Sequence, residues 1–318
     1  MSSIIYAPKS WNPIEGCTRI SEGCKNCWAL NMRRRFGGGE VLGQPPVTEP
    51  VLRPDRLDAP LHWRKSQTVA VAFMGDLFHD QVPAEFIDKV FAVMALTPQH
   101  TYLLLTKRPE RMRTYVTLAD AGSRGVADAM RVLRPSLTTL DLASRQRPMP
   151  NVRLGVSCEN QARADERIPL LLETPAAHRW LSLEPLLGPI RFPLPCKEST
   201  FWGGISWCVV GGESGPHARP CDLGWIRDIR DQCKAASVSC YVKQWGSKPM
   251  LPNTMAGNKE WIEGMQAGLW RPIEGESWRR GPNGERLGYA SRLRDRKGEN
   301  PDEWPPDLRV REMPEGSG

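Results

Sequence analysis

Short apolar runs that alternate with amphipathic stretches constrain this chain more than any other feature. Val69–Met74 (VAVAFM) is brief, rich in β-branched residues and stopped by Gly75-Asp76, the pattern of a buried strand. Ala84–Leu96 then repeats its apolar residues at a spacing near 3.6, the pattern of a helix. The alternation continues. Thr101–Leu105, Val152–Val156, Trp180–Leu183, Trp207–Val210 and Cys240–Lys243 read as strands. Helical stretches run to about Leu133 and recur at Gln161–Glu173 and Leu223–Ala236, while Leu137–Arg147 fits neither pattern. With the N-terminal segment, about seven strands are expected by residue 246.

Strands alternating with helices predict βαβ units and a parallel sheet. No G-x-G-x-x-G follows any of the strands, so the expected α/β fold is a partial (β/α) barrel rather than a dinucleotide-binding sheet. Asp76, Lys107, Glu159, Glu184, Glu213 and Lys243 each stand just past a predicted strand. In (β/α) barrels that is the carboxyl face, where sites are built. Beyond Gly246 the periodicity stops and Gly, Pro, Trp and Arg dominate. Two domains are therefore expected, a barrel over 1–246 and an irregular C-terminal extension over 247–318, its last stretch from Arg294 mobile.

No run approaches the roughly 18 apolar residues of a membrane span, and the opening MSSIIYAPKSW lacks the apolar core of a secretion signal. A cytoplasmic protein with no membrane partner is expected. The net charge of +7 favours an anionic partner such as nucleic acid or a nucleotide. Nine cysteines are an odd number, and in a reducing compartment they do not form a disulfide framework.

Three of those cysteines carry the strongest chemical signal. Cys17, Cys24 and Cys27 follow the spacing C-x6-C-x2-C, with Gly16 and Gly23 each directly before a cysteine. Glycine lets a backbone adopt positive φ and approach closely. Three readings of this loop stand open: structural thiols, a zinc site completed by His79 or Cys158, or an iron–sulfur cluster on three thiolates with one iron left open. The remaining cysteines show no close pair in sequence and read as buried thiols. Cys158 differs by following a strand beside Glu159.

The stretches W-N-P-x-x-G-C-x6-C-x2-C at 11–27, VVGGESGPHARP at 209–220, WIRDIRDQC at 225–233 and VKQWG at 242–246 resemble an uncharacterised phage family with a three-cysteine motif, itself similar to radical S-adenosylmethionine (radical SAM) enzymes. The resemblance implies a partial barrel of the radical SAM type. It implies that Cys17, Cys24 and Cys27 hold a [4Fe–4S] cluster whose open iron binds S-adenosyl-L-methionine, cleaved on reduction to a 5′-deoxyadenosyl radical. Met74-Gly75-Asp76 stands where such enzymes often carry Gly-Gly-Glu, so Asp76 is expected to meet the cofactor amine. Ser157 and Glu159 suit its ribose hydroxyls, Glu213 belongs to a glycine-rich loop near cofactor or substrate, and Cys158 is a candidate catalytic hydrogen-atom donor. Two departures stand out: the first cysteine gap is six rather than three, and Asn26 occupies the place of the usual aromatic, with Trp28 after the third cysteine. The implied function is hypermodification of phage DNA, an isomerase rearranging a group on a modified thymine, with DNA or a modified nucleotide as substrate. An electron donor such as flavodoxin or ferredoxin and a host-cytoplasm location go with it. Two alternatives remain: repair of a DNA lesion by radical chemistry, and a non-enzymatic zinc or nucleic-acid-binding protein.

Overall fold

A computed structural model describes residues 4–36, 49–120, 124–138, 148–193, 204–250, 270–272, 279–280, 286–287, 291–293, 295 and 297–314. Its main sheet has seven strands, hydrogen-bonded in chain order: β1 (Lys9–Trp11), β2 (Thr68–Val71), β3 (Thr101–Thr106), β4 (Val152–Ser157), β5 (His178–Leu183), β6 (Trp207–Gly211) and β7 (Ser239–Gln244). The ladders β1–β2, β2–β3, β3–β4 and β6–β7 are parallel. Helices α1 (Trp28–Phe36), α2 (Ala84–Leu96), α3 (Pro109–Asp120), α4 (Gly125–Leu133), α5 (Gln161–Glu173) and α6 (Leu223–Ala235) lie between strands in sequence. This sequential parallel order is consistent with the expected partial (β/α) barrel. No helix among the described residues is long and apolar enough to cross a membrane.

The chain divides into two compact units, one built on Met1–Ser157 and Asp165–Trp180, the other on Cys158–Ala164 and Leu181–Pro314. In the first, Val69, Ala70 and Val71 of β2 and Tyr102, Leu103 and Leu104 of β3 are buried, as near-continuous apolar strands of a parallel sheet must be. In α2, Phe86 and Ile87 are buried, and every residue from Val90 to Leu96 is buried as well, so the second half of the helix is covered on all sides. Beyond this helix the Thr97 hydroxyl donates to the Val93 carbonyl at 2.6 Å and meets the Tyr102 hydroxyl at 2.6 Å. The helical stretches read up to Leu133 are α3 and α4, and most of Leu137–Arg147 lies outside the described residues.

Strand β2 ends at Val71, earlier than the apolar run. Ala72 adopts φ +57°, and the Gly75 amide returns to its carbonyl at 2.9 Å. A turn therefore consumes Phe73 and Met74, whose backbone is needed elsewhere.

In the second unit, every residue of β6 is buried. Asp222 caps α6 by accepting the Gly224 amide at 2.7 Å, and Leu223, Ile226, Ile229 and Cys233 form its buried face. Within the terminal stretch expected to be mobile, the described residues 297–314 pack instead along β7. The Val242 amide donates to the Val310 carbonyl at 2.8 Å and the Glu312 amide to the Cys240 carbonyl at 2.9 Å. Trp304 stacks on Trp245 with centroids 5.7 Å apart and planes 14° from parallel. The physical reason is that an edge strand with unpaired amides and carbonyls gains from a partner, and a stacked aromatic pair anchors it. Trp245 is thereby a core residue with no exposed surface.

Candidate functional site

The cysteine loop is anchored by its own motif. The side-chain oxygen of Asn12 accepts the Met74 amide at 3.1 Å, and the Gly16 amide donates to the Met74 carbonyl at 2.9 Å. These two bonds explain why β2 stops short. Gly16 has φ +87°, and a Cβ there would stand 2.1 Å from the Glu49 carbonyl oxygen, so its freedom serves chain-to-chain approach. Glu15 accepts Arg53 at 2.9 Å and Arg56 at 2.6 Å. The loop thus leaves the carboxyl end of β1 and lies beside the turn that follows β2, joined by a bridge between Gly16 and Gly75.

Cys24 closes a short 3-10 turn, Glu22–Cys24, and the Cys27 carbonyl accepts the Asn31 amide at 3.0 Å to begin α1. Cys17, Cys24 and Cys27 are free and half-buried, whereas Cys158, Cys208, Cys221, Cys233 and Cys240 are buried. Cys196 lies outside the described residues. The buried thiols include a group the sequence hides. Cys208 and Cys240 are register partners in β6 and β7, and Cys233 of α6 hydrogen-bonds both.

Arg108, just past β3, organises the loop. One guanidinium nitrogen donates to the Cys17 sulfur at 3.3 Å and to Asp76 at 3.1 Å. The other donates to the Thr18 hydroxyl at 2.7 Å and the Thr18 carbonyl at 3.4 Å. Asp76 is 5% exposed. Its carboxylate also accepts the Thr106 hydroxyl at 2.7 Å and the amides of Phe78 and Lys107 at 3.0 and 3.3 Å. His79, weighed as a zinc ligand, accepts the Gln81 amide on Nδ1 at 3.2 Å, so Nε2 carries the hydrogen that faces the Thr18 hydroxyl at 2.8 Å. Burial and the Arg108 charge hold this imidazole below its ordinary value, in the neutral form.

The two thiols with charged neighbours differ. Burial and then Asp76 push Cys17 up to about 11, against the pull of Arg108. At Cys24 burial also works upward, but Lys107 and hydrogen bonds at Ile20 and Ser21 outweigh it and hold the thiol below its ordinary value. Arg108 is 9% exposed and turned into the loop. Thr18 and Thr106 were not singled out by sequence, since a lone threonine near a loop or strand end carries no signal of its own.

In the second unit the glycine-rich motif and the VKQWG motif meet each other. The Gly212 amide donates to the Gln244 carbonyl at 3.1 Å, and the Gln244 side chain returns to the Gly212 carbonyl at 2.8 Å. A Cβ on Gly212 would stand 2.2 Å from the Trp245 carbonyl oxygen. Glu213 is 6% exposed and accepts the Arg219 side chain at 2.6 and 3.0 Å. Lys243 pairs with Glu184 at 3.1 Å. Cys158 and Glu159 are fully buried, and the Glu159 carbonyl accepts the Leu187 amide at 2.7 Å. In the first unit Ser157 ends β4, 4% exposed, its carbonyl accepting Arg167 at 2.8 Å.

The donor set fits a thiolate-held iron–sulfur cluster. Three free, half-buried thiols share one loop, and Arg108 and Lys107 supply positive charge beside two of them. Among the described residues, no group of three or more His, Cys, Asp or Glu side chains is arranged to hold a metal ion, so the fit rests on donor chemistry and not on converged thiols. Residues 1–282 match a family model whose description names neither phage nor radical chemistry. No curated protein and no solved structure matches the chain. The chain belongs to the family described as a protein of unknown function, DUF5131.

Proposed function

We propose that the protein is a radical SAM enzyme, with Cys17, Cys24 and Cys27 as the ligands of a [4Fe–4S] cluster. The observation that carries the reading is the loop itself. It carries three half-buried thiols in the segment that leaves β1, with Cys17 and Cys24 each beside a cationic side chain, while the other described cysteines are buried. When bound, the cluster and S-adenosylmethionine supply a carbon-centred radical able to take hydrogen from an unactivated carbon. The chain's own residues bind and orient. Asn12 and Gly16 tether the loop to the turn after β2, Arg108 orients Cys17, Asp76 and Thr18 hold Arg108, and burial keeps His79 neutral.

The substrate class proposed is a modified thymine in DNA or as a nucleotide, rearranged in an isomerase reaction. The net charge of +7 supports an anionic substrate, and an external electron donor of the flavodoxin or ferredoxin kind is required. Asp76, Ser157, Glu159 and Glu213 remain the proposed cofactor contacts and Cys158 the proposed hydrogen donor. Substituting each of them singly, with cofactor affinity and turnover as readouts, tests these roles one by one.

The deciding experiment is anaerobic reconstitution with iron and sulfide analysis. About four irons and four sulfides per chain are expected. Cys17→Ala, Cys24→Ala and Cys27→Ala should each lose them, while Cys233→Ala keeps them. Stoichiometric zinc without sulfide would refute the reading.

A further inference from the structure

We propose that Arg108 is a positioning residue that sets the reduction potential of the group held by the cysteine loop, acting through Cys17, with Asp76 as its counterweight. This rests on the iron–sulfur reading above and adds to it which side chain tunes the centre.

Three observations carry the inference. The first is geometric. Arg108 spends one nitrogen on both the Cys17 sulfur and Asp76, at 3.3 and 3.1 Å, and the other on Thr18. The guanidinium is therefore held in one orientation by a carboxylate, a hydroxyl and a carbonyl, with the sulfur as its remaining target. A planar fork of fixed donors loses little freedom in such a setting. The second is burial. The side chains of Arg108 and Asp76 are 8% and 6% exposed, so their charges act on Cys17 with little screening by solvent. The third is asymmetry. No side-chain donor but Arg108 is described at the Cys17 sulfur, whereas Cys24 has the Ser21 hydroxyl at 3.7 Å.

Hydrogen bonds to the sulfurs and net charge near a cluster are among the levers that set its potential. Reduction adds one electron and so one negative charge. A cation bonded to a ligand sulfur stabilises the reduced state more than the oxidised one and raises the potential. A carboxylate behind that cation offsets part of the effect. Arg108 and Asp76 thus have opposite signs, and the pair fixes a net value that neither would give alone.

The test uses the full-length, anaerobically reconstituted protein. The midpoint potential is read by redox titration with electron paramagnetic resonance, which needs neither substrate nor turnover. In Arg108→Gln the potential falls, by about a tenfold change in the reduced-to-oxidised ratio at fixed poise, which for a one-electron couple is about 59 mV. Arg108→Lys restores part of the shift, because it keeps the charge and loses the fork. Asp76→Asn moves the potential upward. If Arg108→Gln does not take up iron, the Arg108→Lys and Asp76→Asn shifts carry the test alone. A wild-type protein with no iron and sulfide overturns the proposed function. A wild-type cluster whose potential is unmoved in these variants, or moves the same way in Arg108→Gln and Asp76→Asn, overturns the role of Arg108 and leaves the cluster standing.

Discussion

Gly155, in the middle of β4, faces a fully buried indole. A Cβ there would stand 2.5 Å from the Trp180 indole. That ring cannot step aside freely, because its nitrogen donates to the Leu104 carbonyl at 3.1 Å and to the Arg153 carbonyl at 3.3 Å. Glycine usually weakens a strand, so its presence marks a close approach. Gly155→Ala is expected to cost about 1–3 kcal/mol, the range for overpacking a filled core. Urea unfolding measures it, and an unchanged midpoint would show that the indole relocates without loss. Gly16 poses the same kind of constraint, but with backbone strain as well, since its φ is positive. The sequence marks such glycines as special without saying what approaches them. For Gly16 the structure puts the Glu49 carbonyl there.

At the scale of elements, the segment 297–314 acts as the missing neighbour of β7. Asp307 ties it to α6, accepting Arg227 at 2.8 Å and also Arg230. Burial works to raise the Asp307 carboxyl, but Arg227 and Arg230 outweigh it and hold it below its ordinary value near 3.8. A carboxyl lowered on folding stabilises the fold above the unfolded value, and the gain disappears as pH falls through the folded one. Asp307→Asn should therefore lower the urea midpoint at pH 7, with an effect that shrinks as pH is lowered below 3.8. The carboxylate is 42% exposed, so a difference of about 1 kcal/mol or less is expected. An effect that does not shrink would show that the ion pair is not what holds the segment. The β7 edge was legible as a strand from Cys240–Lys243, but its partner was not. Val310 and Glu312 lie some 70 positions away in a stretch without periodicity, and only the tertiary fold brings them to the edge.

At the scale of the whole molecule, the charge of +7 is modest, and two cations past strand ends are already engaged, Arg108 in the cysteine loop and Lys243 with Glu184. Each neutralised phosphate releases counterions and steepens the salt dependence of binding. Under the proposed function, a DNA substrate should thus bind with a shallow slope of affinity against salt, that of a few contacts. A slope near zero together with turnover on the free modified nucleotide would remove the polymer as substrate. By itself the sequence determined the α/β class, the seven strands, the polar residues past their ends and the spacing of the three-cysteine loop. Each of those follows from local periodicity or spacing, which neighbours in sequence decide. Only the tertiary structure decided that Asn12 meets Met74, that Arg108 turns inward to Cys17 and Asp76, that the glycine-rich loop closes on Gln244-Trp245-Gly246, and that the C-terminal segment covers β7. Those pairings join residues tens of positions apart. They depend on which buried donor finds which acceptor, and local pattern does not encode that choice.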